Sequence, residues 1–202
     1  MPRLSSRWVV LLGLLLTAQA QPQRQTVPPH FTIPRSFTPP LLRVSDNLVT
    51  NPGFETGGVN GGWYQCGSAK AYVTMQHPYR GRYDEYSGTP TGAGEPLGDS
   101  GVCQLVTIPA NAVLTARLYQ LSDERGTNSA YQEADLLDNF GNIIVNLYRS
   151  TNHANAWIHG TWNLSAFAGR RCWIYFGVHG DGSPGHSTQQ FVDEVTLAPR
   201  HE

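Results

Sequence analysis

"AVLTARLYQL", residues 112–121, decides the fold. Leu114, Ala116 and Leu118 alternate with Thr115, Arg117 and Tyr119, the period-two pattern of a strand with one covered face. Outward from it the signature recurs in short runs: "AYVTM" (71–75), "CQLVTI" (103–108), "YQEADLL" (131–137), "NIIVNLYR" (142–149), "RCWIYFGV" (171–178) and "QFVDEVTL" (190–197). "YRGR", "GTPTGAG" and "HGDGSPG" supply turn signals between them. "DNFGN" (138–142) reads as a hairpin loop in which Gly141 takes a positive φ. No stretch keeps a helical period. Seven to nine short strands at this spacing predict an all-β protein, an antiparallel β-sandwich of jelly-roll type.

Composition agrees. Only 14% of the 202 residues are charged, and glycine numbers 21 and proline 14. A net charge of −1 gives no basic field for nucleic acid or an anionic membrane surface. Residues 1–20 read as a signal peptide: basic "MPRLSSR", apolar "WVVLLGLLL", then "AQA" as a small-x-small cleavage site. No later run is apolar for long enough to span a bilayer. Residues 21–45 form a Pro-rich linker or tail, and 46–198 the folded domain. The expected setting is secreted, extracellular or periplasmic, and the expected state a monomer.

Three cysteines remain. Cys172 lies in an apolar run and packs as a free thiol; Cys66 and Cys103 each flank a turn-rich stretch and are expected to pair. "GDSGVC" (98–103) reads as a turn before the Cys103 strand. His153, His159, His179 and His186 lack the tight spacing of a zinc site and read as loop histidines.

"NLVTNPGFETGG", "GGWYQC", "YRGRYDEYSGTP", "CQLVTIP", "WNLSAFAGRRCWIYFGVHGDG" and "FVDEVTL" follow one another in an order that resembles the galactose-binding-like jelly rolls. That superfamily includes many carbohydrate-binding modules, and the resemblance spans roughly residues 46–198. It matches a variant whose Trp-x-x-Cys strand is tied to its Cys-Gln-x-Val strand, again Cys66 to Cys103. Glu194 stands where a second Asp is commoner, and Cys172 has no partner in the pattern.

The resemblance implies a structural calcium ion between the opening and closing strands. Glu55 and Asp193 are the expected carboxylate ligands, with the Gly81 loop adding backbone oxygens. The parity of Asp193 matches Phe191, Val195 and Leu197, which favours it over Glu194. The competing reading makes Glu55 and Asp193 strand-end acids facing solvent near Arg82. The resemblance also implies a carbohydrate ligand, held by aromatic faces and polar side chains. Trp63 and Trp162 fall in the matched motifs and read as core. Tyr131 and Trp157 are the expected stacking residues, and Glu133 and Asp135, which share one strand face, the expected polar ones. A plain solvated polar face competes with that reading.

Two other functions stay open. One is a structural or adhesion domain with a protein partner. The other rests on "EADLLD" (133–138), which resembles the Glu-x-Asp-x-x-Glu strand of a family of retaining β-glucanases and would set Glu133 and Asp138 to work as a pair. Those two have opposite parity, so a bulge would be required. The expected function is non-catalytic.

Overall fold

The computed structural model describes residues 47–90, 93–127 and 129–200. The expected signal peptide and Pro-rich segment lie outside the described residues. Among the described residues ten strands and one 3₁₀ turn make up the regular structure: β1 (Tyr64–Gly67), β2 (Tyr72–Thr74), β3 (Asp84–Gly88), β4 (Leu97–Thr107), β5 (Ala112–Ser122), β6 (Tyr131–Leu137), β7 (Ile143–Ser150), β8 (Trp157–Asn163), the turn Ser165–Phe167, β9 (Arg171–Asp181) and β10 (Thr188–Pro199). They form two five-stranded antiparallel sheets, ordered β1-β4-β9-β6-β7 and β2-β3-β10-β5-β8. The β-sandwich is therefore as expected.

Alternation places the core between the sheets. Leu114, Ala116 and Leu118 of β5 turn inward to meet Ile174 and Phe176 of β9 and Ala134 and Leu136 of β6. Phe54 and Trp63 close one end of this core, their rings stacked at 4.9 Å. Phe54 has φ 58°, a left-handed conformation that drives its ring inward while Glu55 continues outward.

Two readings need correction. "GDSG" is strand rather than turn, because Asp99, Ser100 and Gly101 pair with His179, Val178 and Gly177 of β9. The β10–β5 register shifts between Asp193 and Thr196, with Glu194 at φ 49°. This bulge reverses parity. Phe191 and Asp193 face outward, whereas Val192, Val195 and Leu197 join the core. Asp193 thus shares its face with Phe191 alone among the three apolar residues it was matched to.

Cys66 and Cys103 are bonded, on adjacent strands β1 and β4, and Cys172 is free and buried. Among the described residues no helix is long and apolar enough to cross a membrane.

Candidate functional site

Along β6, residues 132, 134 and 136 point into the sandwich, so Tyr131, Glu133 and Asp135 share the outer face. Register then fixes their neighbours. One row reads Asp99, His179, Tyr131 across β4, β9 and β6. The next reads Gly101, Gly177, Glu133, Arg149, extending onto β7. A third reads Cys103, Tyr175, Asp135, Asn146. The glycine pair makes room for the Tyr175 ring: a Cβ at Gly101 would meet it at 2.5 Å, and one at Gly177 would meet its hydroxyl at 2.1 Å.

The polar groups on this face are tied together. His179 Nδ1 lies 2.6 Å from Asp99 Oδ1, and its ring stacks on Tyr131 at 4.9 Å. Arg149 reaches Glu133 at 3.0 Å and lies 3.9 Å over the Tyr131 ring. Asn146 donates to Asp135 at 2.7 Å. The solvated face weighed from the sequence is absent, since Glu133 is 2% exposed and Asp135 fully buried. Arg149 and His179 form the more open rim, with side chains 36% and 21% exposed.

Burial raises both β6 acids above the carboxylate range, Glu133 the further. The charges of Asp135 and Asp99 push Glu133 the same way, and Arg149 opposes them. Asp135 Oδ2 is buried without a formed hydrogen bond, and a protonated Glu133 beside it is the available donor. Burial also pushes the Tyr131 hydroxyl up to about 12, so it stays a neutral donor. The result is a ring flanked by a carboxyl pair, an imidazole and a guanidinium.

Trp157 is not part of this group. It lies on β8, on the outer face of the other sheet, at the end of a directly opposed row Tyr72, Tyr86, Phe191, Tyr119, Trp157. Asp138 is not part of it either. It starts the β6–β7 turn, where it accepts the backbone N–H groups of Phe140 and Asn142. Five residue steps from Glu133 amount to about 16 Å along a strand. A retaining pair needs about 5–5.5 Å, so Glu133 and Asp138 do not form one.

The loop joining β2 to β3 crosses the outer face of that second sheet. His77 stacks on Tyr119 at 4.4 Å, and Tyr79 meets Trp157 at 5.7 Å. Three acids hold the loop by its backbone. Asp84 accepts from the N–H of His77, Asp193 from those of Tyr79 and Arg80, and Glu55 from those of Arg82 and Tyr83. Gly81, at φ 69°, is required here, since a Cβ would lie 2.2 Å from Glu55 Oε1. Asp193 is fully buried, and burial pushes it up to about 6, with the charge of Glu194 adding to the effect. Glu55, Asp193 and Glu194 lie near Gly53, whose Cβ would meet them at 3.7, 3.2 and 3.6 Å. Glu55 approaches Gly53 through its Cγ, and its carboxylate, like that of Asp193, is turned to the N–H groups of the loop rather than gathered with Glu194 around one point.

The residues missed from sequence are Asp99, Arg149 and His179. Asp99 was hidden in the supposed turn, and Arg149 and His179 gain meaning only through register. A separate group lies at one end of the sandwich, where Asp123, Glu124 and His186 bring one ligand atom each within 4.8 Å of one another.

No protein-family model matches the sequence, and no curated protein matches it. Solved structures do. A carbohydrate-binding module, TmCBM61, solved in complex with β-1,4-galactotriose, superposes with TM-score 0.53 at 19% identity, covering 77% of this chain and 100% of that one. The K1 cleaved adhesin domain of Lys-gingipain from Porphyromonas gingivalis W83 gives 0.53 at 16%, over 74% and 96% of the two chains. Its K3 cleaved adhesin domain gives 0.52 at 12%, over 76% and 99%. The fold is the jelly-roll β-sandwich that these structures share. At such identities the likeness extends to the fold alone.

Proposed function

We propose that this protein is a secreted, monomeric, non-catalytic module that binds extracellular or cell-envelope carbohydrate on the outer face of the β1-β4-β9-β6-β7 sheet. The observation that carries the reading is the joining of Tyr131, Glu133 and Asp135 with Arg149 and His179 on one face. The Arg149 guanidinium and the His179 imidazole are the groups a sugar's hydroxyls can reach, and the buried Tyr131 ring between them, with the two carboxyls, holds them in place. The Cys66–Cys103 bond is compatible with an oxidising compartment, which supports secretion with residues 1–20 as the leader. Glu55 and Asp193 hold a structural Ca²⁺ in this reading, and Gly81 lets the loop close over them.

A glycan array that includes β-1,4-galactans tests the proposal. Binding lost in Arg149→Ala and Tyr131→Ala, with folding preserved, supports this face. Binding kept in both but lost in Trp157→Ala moves the site to the aromatic row of the other sheet. The adhesion reading is favoured by the likeness to two cleaved adhesin domains. An array with no binding, together with capture of a protein ligand, establishes it instead.

A further inference from the structure

His186 Nδ1 lies 3.4 Å from Asp123 Oδ1 and 3.6 Å from Glu124 Oε1. These separations are too long for good N–H···O hydrogen bonds, which cluster near 2.9 Å. Both fall near the edge length of a coordination tetrahedron, and all three ligand atoms lie within 4.8 Å of one another. With metal–nitrogen and metal–oxygen bonds of about 2.0–2.2 Å, neighbouring ligand atoms sit roughly 3.3–3.5 Å apart.

A second observation comes from a different segment. Glu95, just before β4, is 7% exposed, and neither carboxylate oxygen makes a hydrogen bond. Burial raises its carboxyl above the ordinary glutamate range, and the Thr188 hydroxyl and the Asp181 backbone oppose this without a formed bond. The Glu95 N–H donates to Ser183 O at 3.1 Å, in the connection that also carries His186, and the charges of Glu124 and Asp181 act on its carboxyl. His186 in turn acts on Asp181. A buried, unpartnered carboxyl beside two more acids and an imidazole is answered by a proton or by a cation, and the His186 imidazole and neighbouring carboxylates supply ligands for the second.

The surroundings hold the ligands firmly. Asp123 and Ser187 exchange both backbone hydrogen-bonding groups through the Asp123 N–H and carboxylate, at 3.2 and 2.9 Å. Ser122 and Thr188, one step further into the sheet, pair across β5 and β10.

We propose that Asp123, Glu124 and His186 form a binding site for a divalent transition-metal ion of the Zn²⁺ class, with Glu95 behind them as a charge-balancing carboxylate. The imidazole selects the class: nitrogen with carboxylate oxygens suits Zn²⁺, whereas Ca²⁺ takes oxygens only. Three protein ligands leave one tetrahedral position for water or an exogenous oxygen. The ion joins the β5–β6 and β9–β10 connections at one end of the sandwich. This site is separate from the Glu55 and Asp193 acids and independent of the carbohydrate reading.

The test is Zn²⁺ titration of the tag-free full chain by calorimetry, with thermal melting alongside. One Zn²⁺ per chain is expected, with a raised melting temperature, and any Ca²⁺ binding should be the same in His186→Ala as in the wild type. His186→Ala and Asp123→Asn should each weaken Zn²⁺ by roughly tenfold or more and remove its effect on melting. Both positions are about half exposed, so their metal-free folding should match the wild type. Glu95→Gln keeps the shape, removes the charge and should also weaken Zn²⁺. Failure of the wild type to bind Zn²⁺, Ca²⁺ binding that His186→Ala removes, or wild-type Zn²⁺ affinity in His186→Ala or Glu95→Gln overturns the site.

Discussion

Glu133 and Arg149 stand directly opposite one another on β6 and β7, and their charged groups meet at 3.0 Å. The Arg149 guanidinium acts on Glu133 and Asp135, while the charges of Asp135 and Asp99 bear on Glu133, and burial acts against all the charge left over. Glu133 therefore holds its proton above the usual glutamate range.

The pH consequence has a definite sign. Below the ordinary glutamate pKa both folded and unfolded chains are protonated at Glu133. Above it the unfolded chain ionises first, so stability falls as pH rises towards the raised folded pKa. Glu133→Gln removes this term. Its melting temperature should gain on the wild type from about pH 5 to about pH 8, a window starting just above the unperturbed value. Parallel melting curves across that window would show that Glu133 is not held protonated.

Asp193→Ala leaves the N–H groups of Tyr79 and Arg80 without their acceptor and should cost about 1–3 kcal/mol in denaturant titration. Gly81→Ala should cost at least about 1 kcal/mol from its left-handed backbone alone, with displacement of Glu55 in addition. Losses below a few tenths of a kcal/mol in both variants would mean the loop is held by other contacts.

Calcium is tested on the same acids. Ca²⁺ at a hundredfold excess over its dissociation constant should add about 2.7 kcal/mol, and Mg²⁺ far less. Asp193→Asn and Glu55→Gln should each abolish the response. A calcium response that survives in both variants places the ion elsewhere.

The Cys66–Cys103 bond spans 37 residues and stabilises by roughly 4 kcal/mol in chain-entropy terms. Reduction, or joint replacement by serine, should lower the denaturant midpoint accordingly. Cys172, fully buried, should react with thiol reagents only as the chain unfolds. Fast labelling of a native, unreduced sample would contradict its burial.

How far the sequence could be read follows from how local each signal is. β6 lay over 131–137 as its residues indicated, because alternation and the "DNFGN" turn are both local. β3 and β8 were overlooked: "DEYSG" looks like turn chemistry, and "WIHGTWN" carries a glycine at its centre. The Trp162 ring lies over Gly160, where a Cβ would meet it at 2.2 Å. Only the folded strand shows why a glycine belongs there. The shared face of Tyr131, Glu133 and Asp135 was legible from parity. Asp99, His179 and Arg149 were not, since pairing register is a long-range property. Trp157 joins the β6 residues in the sequence reading as an aromatic flanking the middle strands, and sheet order separates them. The Asp193 bulge escaped because one extra residue breaks the parity on which such reading depends.

The β2–β3 connection has a consequence for hydrogen exchange. It pairs with no strand between His77 and Tyr83, yet five of its amide protons end on carboxylate oxygens from Asp84, Asp193 and Glu55. Exchange requires those amides to leave their acceptors. Deuterium should therefore enter this segment as slowly as it enters a ladder, and protection along the chain will mark as sheet-like a stretch with no sheet in it. The acceptors are side chains, so that protection can be erased one carboxylate at a time while both sheets keep theirs.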